Sequence, residues 1–100
     1  TVPSAQKAII TQVVIRLTAA SVITVSPTVS IGQNATTYND IIGVSTMTNL
    51  DAVDECWEFS AGNSNPHVAV AASTAIKMDV SVGATATTMT ATVYLIGYLI

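Results

Sequence analysis

The sequence predicts an all-β protein: an antiparallel β-sandwich, jelly-roll-like, with about seven or eight short strands. Valine, isoleucine and threonine contribute 13, 10 and 15 of the 100 residues, against four leucines. Such β-branched side chains favour a pleated sheet over a helix. Apolar and polar residues also alternate along several segments, which are separated by turns rich in Gly, Pro, Asn and Ser. We expect one domain, residues 1–100, with residues 1–6 as an extended N-terminal arm.

The first half of the chain predicts four strands. Alternation over residues 8–17 strongly predicts the first strand, and shorter extended runs follow at 22–25 and 28–31. Pro27 follows the second run and indicates a turn or a sheet edge, because proline has no N–H for a ladder. A fourth strand is predicted at 36–44, after the turn residues Gly32-Gln33-Asn34.

The second half predicts further strands at 56–59, 68–82, 85–92 and 93–100. Trp57 and Phe59 share one face of the first of these. Residues 61–66 form the clearest loop in the sequence. The tract 68–82 is too long for one ordinary strand, so we expect it to break near Ala72-Ser73.

The last predicted strand, residues 93–100, is apolar on both faces, which a sheet with one solvated face does not require. We therefore expect a central strand that lies between the core and a neighbouring subunit. Its four residues Tyr94, Ile96, Tyr98 and Ile100 are the predicted subunit interface. The alternative is a strand in the middle of one sheet of a monomer.

Charge and cysteine content narrow the function classes. Only 9% of the residues are charged, which leaves little protection against association between sheet edges. Three basic residues are too few for a nucleic-acid interface. Cys56 is the single cysteine, so no intramolecular disulfide forms, and a reducing cytosol is the expected site of synthesis.

The residues able to do chemistry are few, and each has a structural interpretation. His67 is the only histidine and has no second histidine for a zinc site, and Cys56 is expected to be a small buried thiol. Four acids could bind calcium or act as paired carboxylates, but a solvated loop is the preferred interpretation. These acids are Asp51, Asp54, Glu55 and Glu58.

Two further patterns concern sugars. Asn34-Ala35-Thr36 has the form of a glycosylation site, but without a secretory signal it is interpreted as a turn. The aromatic residues Tyr38, Trp57, Tyr94 and Tyr98 could stack on a glycan, although core or interface positions are preferred. We predict no catalytic residue, no metal site and no cofactor, and therefore no enzyme.

Three tracts carry a resemblance to a known class of proteins. Residues 26–32 (SPTVSIG), 38–40 (YND) and 91–98 (ATVYLIGY) resemble small β-sandwich structural proteins of tailed bacteriophages. That class includes jelly-roll head-decoration (cement) proteins and the knob domains of tail fibres and tail needles. The resemblance implies a homotrimer with an apolar C-terminal strand near the threefold axis.

The resemblance also implies a function: a head-decoration protein that binds and stabilises the assembled capsid. The N-terminal residues Thr1, Val2, Pro3 and Ser4 would then form an arm across neighbouring capsid subunits. The alternative is the receptor- or glycan-binding tip of a tail fibre or spike, and a third is a bacterial carbohydrate-binding module. The expected partners are other copies of the chain, the major capsid protein or another virion protein, and a host-surface glycan for the fibre tip.

No nucleic acid and no membrane insertion is expected among the interactions. The resemblance implies the virion as the location of the protein. Because no signal peptide is visible, synthesis in the host cytoplasm is expected.

Overall fold

A computed structural model describes residues 1–60, 69–83, 85 and 88–100 of the chain. Six strands and no helix occur in this part. The strands are β1 (Ala8–Ala20), β2 (Thr28–Gly32), β3 (Ile42–Thr46), β4 (Cys56–Ser60), β5 (Lys77–Val82) and β6 (Met89–Leu99). The all-β prediction is confirmed, with six strands in place of the seven or eight expected.

The strands form two antiparallel sheets of three strands each. The first sheet has the order β4-β1-β6 and the second the order β3-β2-β5. β1 is central in its sheet, where Ile15 pairs with Trp57 on one side and with Val93 on the other. β2 is central in the second sheet, between β3 and β5. The four remaining strands are all sheet edges.

The core lies between the two central strands, so the fold is sandwich-like. Alternation on β1 turns Val13, Ile15 and Leu17 inward, and each is fully buried. Val29 and Ile31 of β2 are about 1% exposed and belong to the same apolar cluster. The cluster is completed by Val2, Ala8, Ile10, Ile41, Ile42, Met47, Leu50 and Val70. Trp57 and Phe59 pack against it from β4, as their shared face predicts.

Several strand predictions need correction. Residues 22–25 contribute a single bridge, Val25 to Thr85, and 36–44 is extended only from Ile42 onward. The tract 68–82 breaks at Ala72-Ser73 as predicted, where Ser73 has a φ of 60°. Of its earlier part the structure describes residues 69–71, which contribute only the bridge between Val70 and Ala8. Residues 89–99 form one strand rather than parts of two, because no turn residue lies at the predicted boundary between Thr92 and Val93.

The position of the last strand also differs from the prediction. β6 is an edge strand that pairs with β1 alone, so it is central to neither sheet of this chain. Alternation and apolar content report which faces of a strand are apolar, but not what lies beside it in the sheet. The apolar residues of β6 are therefore left uncovered within the chain.

Candidate functional site: the exposed edge strand β6

β6 is held in place by a long ladder with β1. The ladder runs from the pair Ala20–Met89 to the pair Ala8–Leu99, with a bulge between Ile10 and Gln12. Beside this bulge the two backbones approach closely at Gly97. A Cβ added there would collide with the carbonyl oxygen of Ile9 and lie 3.0 Å from the Cα of Ile10. Glycine is thus required for β6 to follow β1 to its end.

The outer face of β6 carries every residue of the predicted subunit interface. Tyr94 pairs with Val14 and Ile96 with Gln12, and paired residues point to the same face of a sheet. The exposed fractions are 43% for Tyr94, 45% for Ile96, 57% for Tyr98 and 60% for Ile100. The four side chains therefore form one apolar row on the surface, and their role in binding another subunit remains a prediction.

The inner face of β6 is apolar too and is only partly covered. Val93 packs against the core, but Leu95 and Leu99 remain 42% and 47% exposed. They lie along an open groove toward β5, where Met78 and Val80 are 41% and 49% exposed. The cause is topological, since within the described residues no strand pairs with the edge of β6 that faces away from β1.

Three cavities follow this groove, and together we call them the β6 groove. The first, about 350 Å³, is lined by Pro27, Val29, Met47, Met78, Val80, Met89 and Ala91. The second, about 230 Å³, shares Met78 with the first and also contacts Leu95. The third, about 190 Å³, shares Leu95 with the second and extends to Leu99. Shared lining residues place the three cavities side by side along the strand, and their lining is apolar except for Lys77, which borders the second.

The N-terminal segment lies against the body of the chain at Val2. The Val2 N–H donates to the Thr74 carbonyl at 3.0 Å, and the Ser73 N–H donates to the Val2 carbonyl at 2.9 Å. The Val2 side chain is 5% exposed and belongs to the core. Thr1, Pro3 and Ser4 are exposed. A contact with capsid subunits through this arm remains a prediction. The Val2 side chain packs in the core of its own chain and is not available for such a contact.

The acidic segment forms an exposed turn, as predicted. The Glu55 carboxylate accepts hydrogen bonds from the backbone N–H groups of Asp51 and Ala52, at 3.0 and 2.6 Å. These two bonds hold the pKa of Glu55 below its usual value, while the interaction with Glu55 raises the pKa of Asp51. Within the described residues, no three Asp, Glu, His or Cys side chains come together as a metal site.

The remaining candidates for a catalytic or metal-binding role are Cys56 and His67. The prediction of a buried Cys56 is wrong: it is exposed at the start of an edge strand, with its thiol 3.7 Å from the Asp54 carbonyl. The Asp54 carboxylate forms an ion pair with Arg16 on the outer face of the first sheet. The distance between Arg16 Nη2 and Asp54 Oδ1 is 2.7 Å. His67 lies outside the described residues.

The Asn34 turn is organised by the asparagine side chain itself. Its Oδ1 accepts from the N–H of Asn39 at 2.8 Å and from that of Asp40 at 3.3 Å. Its Nδ2 donates to Thr37 and to the Asn39 side chain. The interpretation of Asn34-Ala35-Thr36 as a turn matches these contacts.

The four aromatic residues considered for sugar stacking differ in accessibility. Trp57 is half-buried and stacks on Phe59, with ring centroids 5.7 Å apart, so it is not a loop aromatic. Tyr38 lies in the Asn34 turn near the ammonium of Lys77, which is 5.7 Å from its ring centroid. Tyr94 and Tyr98 lie together on the outer face of β6. Only these two form an exposed pair on one sheet face.

The feature that sequence reasoning missed is the β6 groove. Met78 and Val80 lie on the apolar face of the alternating tract 68–82, and that pattern does not mark them as exposed. The groove depends on β5 and β6 both being edge strands, and alternation carries no information about sheet order. One signal did point to this region: residues 83–100 contain no charged side chain.

Comparisons with known proteins come last. In the part of the chain that the structure describes, no helix is long and apolar enough to cross a membrane. No family model, no curated protein and no solved structure matches this chain.

Proposed function

We propose that this chain is a non-enzymatic structural protein that functions as an assembly of identical subunits. One observation carries the proposal: β6 and the adjoining Ile100 expose six large apolar side chains, four on the outer face and two on the inner face. At their exposed fractions these side chains present roughly 500 Å² of apolar surface, divided between the two faces of the strand, and exposed apolar surface of this kind often marks an interaction site. No charged residue lies between Gly83 and Ile100 to keep this surface in solvent.

Within this proposal, the role best supported is that of a phage head-decoration protein, located in the virion. The supporting argument is the resemblance carried by residues 26–32, 38–40 and 91–98, together with the sandwich-like fold. Two pairings, β1 with β6 and β2 with β5, are nested as a jelly-roll-like organisation requires, whereas β3 pairs with β2 and β4 with β1. A decoration protein stabilises a capsid by binding only its assembled state.

The test is direct. Heads assembled without the protein are titrated with purified protein, and bound protein and the capsid melting temperature are measured. Saturable binding at a fixed ratio to the capsid protein, with a raised melting temperature, is the expected result. Absence of binding at micromolar protein would contradict the decoration role while leaving self-association open.

The second candidate is the tip of a tail fibre or spike, and one observation favours it. Tyr94 and Tyr98 form an exposed aromatic pair on a single sheet face, and such rings stack on sugars. This role predicts binding to host cells or glycans that is lost when both tyrosines are replaced. Trp57→Ala is an unsuitable probe for it, because that ring packs against the core.

The resemblance implies three copies around one axis, with the outer row of β6 at the centre. Such a contact covers Tyr94, Ile96, Tyr98 and Ile100. It leaves Leu95, Leu99 and the free backbone edge of β6 uncovered. The number and arrangement of the subunits therefore need a separate argument.

A further inference from the structure

From the free edge of β6 we infer that a second copy of this chain pairs with it, β6 to β6 and antiparallel, across a twofold axis. The first sheets of two copies would then join into one sheet with the order β4-β1-β6-β6-β1-β4. This inference rests on the proposed self-association and specifies its geometry. Four observations carry it: the backbone edge, the two apolar faces, the groove and the absence of charge.

The backbone pattern of β6 fixes which residues face the free edge. Lys7 and Ile100 exchange two backbone hydrogen bonds of 2.9 and 2.8 Å, so the polar groups of Ile100 point toward β1. The carbonyls of Ile96 and Thr90 also face β1, because they accept from Thr11 and Thr18 hydroxyls at 3.1 Å. Even-numbered residues therefore bond to β1, since the direction alternates along a strand.

The odd-numbered residues consequently present both N–H and C=O outward. In this set are Ala91, Val93, Leu95, Gly97 and Leu99. A strand with such an edge is complementary to an antiparallel copy of itself, since each odd residue offers the donor and the acceptor that its opposite number needs. A contact of this kind is isologous and closes as a dimer.

Both faces of β6 are exposed, and this favours a neighbour that pairs along its edge over a neighbour that packs on one face. Exposure is similar on the outer face, 45% for Ile96, and on the inner face, 42% for Leu95. A neighbour stacked on the outer row covers only that row. A neighbour beside β6 in the plane of the sheet contacts both rows, because opposed residues of paired strands point to the same face.

The β6 groove provides space for the partner's inner row. Leu95 and Leu99 border its two narrower cavities, of about 230 and 190 Å³. In the paired arrangement, the partner's copies of the same leucines extend the apolar layer at this open side. The sandwich-like core then continues from one copy into the next.

The other edge strands lack these properties. β5 carries Lys77 and Asp79, and β4 carries the exposed Glu58. Charged residues on an edge discourage pairing with another chain. β3 is five residues long, against 11 for β6. β6 is thus the long, uncharged edge, and two copies meet there without like-charge repulsion.

The test is the native mass of the wild type and of matched variants, by native mass spectrometry and light scattering. The wild type is expected as a dimer of about 21 kDa, twice 10.3 kDa. Leu95→Lys places a charge on the inner row and is expected to weaken the dimer at least 100-fold. Val44→Lys is the control: Val44 is 62% exposed on the edge strand β3, and the variant is expected to stay dimeric.

A second variant and a second readout keep the inference testable if Leu95→Lys folds poorly. Ala91→Pro removes an N–H from the free edge without touching the ladder to β1, and it is also expected to dissociate the dimer. In the wild-type dimer, the amide protons of Val93, Leu95 and Gly97 are expected to exchange slowly. In the dissociated variant they are expected to exchange quickly.

The outcomes separate this inference from the proposed function. A wild type that is monomeric at 100 μM would contradict both. A trimer of about 31 kDa, or an oligomer that persists in Leu95→Lys and Ala91→Pro, would overturn edge pairing and leave self-association standing. Fast exchange of the odd-numbered amides in an intact oligomer would also overturn it.

Discussion

Replacement of Gly97 by alanine tests how β6 is attached to the fold. The added Cβ would collide with the Ile9 carbonyl oxygen and lie 2.9 Å from its carbon, and both are backbone atoms that cannot rotate away. β6 must shift from β1 to accept it, which disrupts the two hydrogen bonds between Lys7 and Ile100. Two bonds at about 1 kcal/mol each, with overpacking of 1–3 kcal/mol, give a loss of about 3–5 kcal/mol.

Gly43→Ala is the matched control for this prediction. Gly43 also lies in an edge strand, but nothing lies within 4 Å of the position of its added Cβ. Alanine there is expected to be neutral or to stabilise by about 0.5 kcal/mol, because glycine is entropically unfavourable in a strand. Urea denaturation at one fixed protein concentration measures both variants. Equal unfolding free energies for the two would refute the close approach of β6 to β1 at Gly97.

Three further predictions concern the core, a turn and pH. Ile15→Ala removes a fully buried side chain from the central strand β1 and is expected to cost about 2–5 kcal/mol in urea denaturation; a loss below 1 kcal/mol would contradict its central position. Asn34→Ala removes the side chain that holds its turn and is expected to lower the free energy of unfolding by about 1–2 kcal/mol in the same assay. An unchanged free energy of unfolding would contradict this prediction and would mean that water replaces these hydrogen bonds fully. Because the folded pKa of Glu55 is lowered, its contribution to stability is present above the ordinary glutamate value of about 4.5 and is lost as pH falls through the folded pKa. Asp51, with a raised pKa, acts in the opposite sense. Glu55→Gln is expected to lower the denaturation midpoint at pH 7, and this effect is expected to shrink as the pH is lowered below about 4.5; an effect independent of pH would contradict the prediction.

Alternation located part of the inner face of β1 correctly. Val13, Ile15 and Leu17 share one face of the alternating run 8–17 and are buried, but before the bulge between Ile10 and Gln12 the buried residues are Ala8 and Ile10, from the opposite face of the predicted pattern. Trp57 and Phe59 followed the same rule on β4. In both strands the pattern reflects a local property, the contact of one face with the core, which the sequence records directly.

Strand boundaries were predicted less well in segments that have a high β-propensity but an irregular backbone. Residues 69–76 are rich in Ala, Ser, Thr and Val, yet they form a turn and a single bridge. Val70 is nevertheless fully buried there. An apolar residue that is buried from a loop is indistinguishable by composition from one that is buried in a strand.

The candidate site shows which part of a sheet surface a sequence can predict. The apolar residues Tyr94, Ile96, Tyr98 and Ile100 were singled out from alternation, and the structure places them in one row on one face. Their location on an edge was not predictable, because sheet order depends on long-range pairing such as that between β1 and β6. The β6 groove follows from the same pairing and was missed with it.

The native mass of the wild-type protein tests the central claim most directly, namely that the apolar edge strand β6 binds another copy of the chain. Native mass spectrometry from 1 to 100 μM is sufficient. We expect a dimer of about 21 kDa, twice the chain mass of 10.3 kDa, which persists in Val44→Lys and dissociates in Leu95→Lys. A wild type that stays at 10.3 kDa over the whole range would contradict the account.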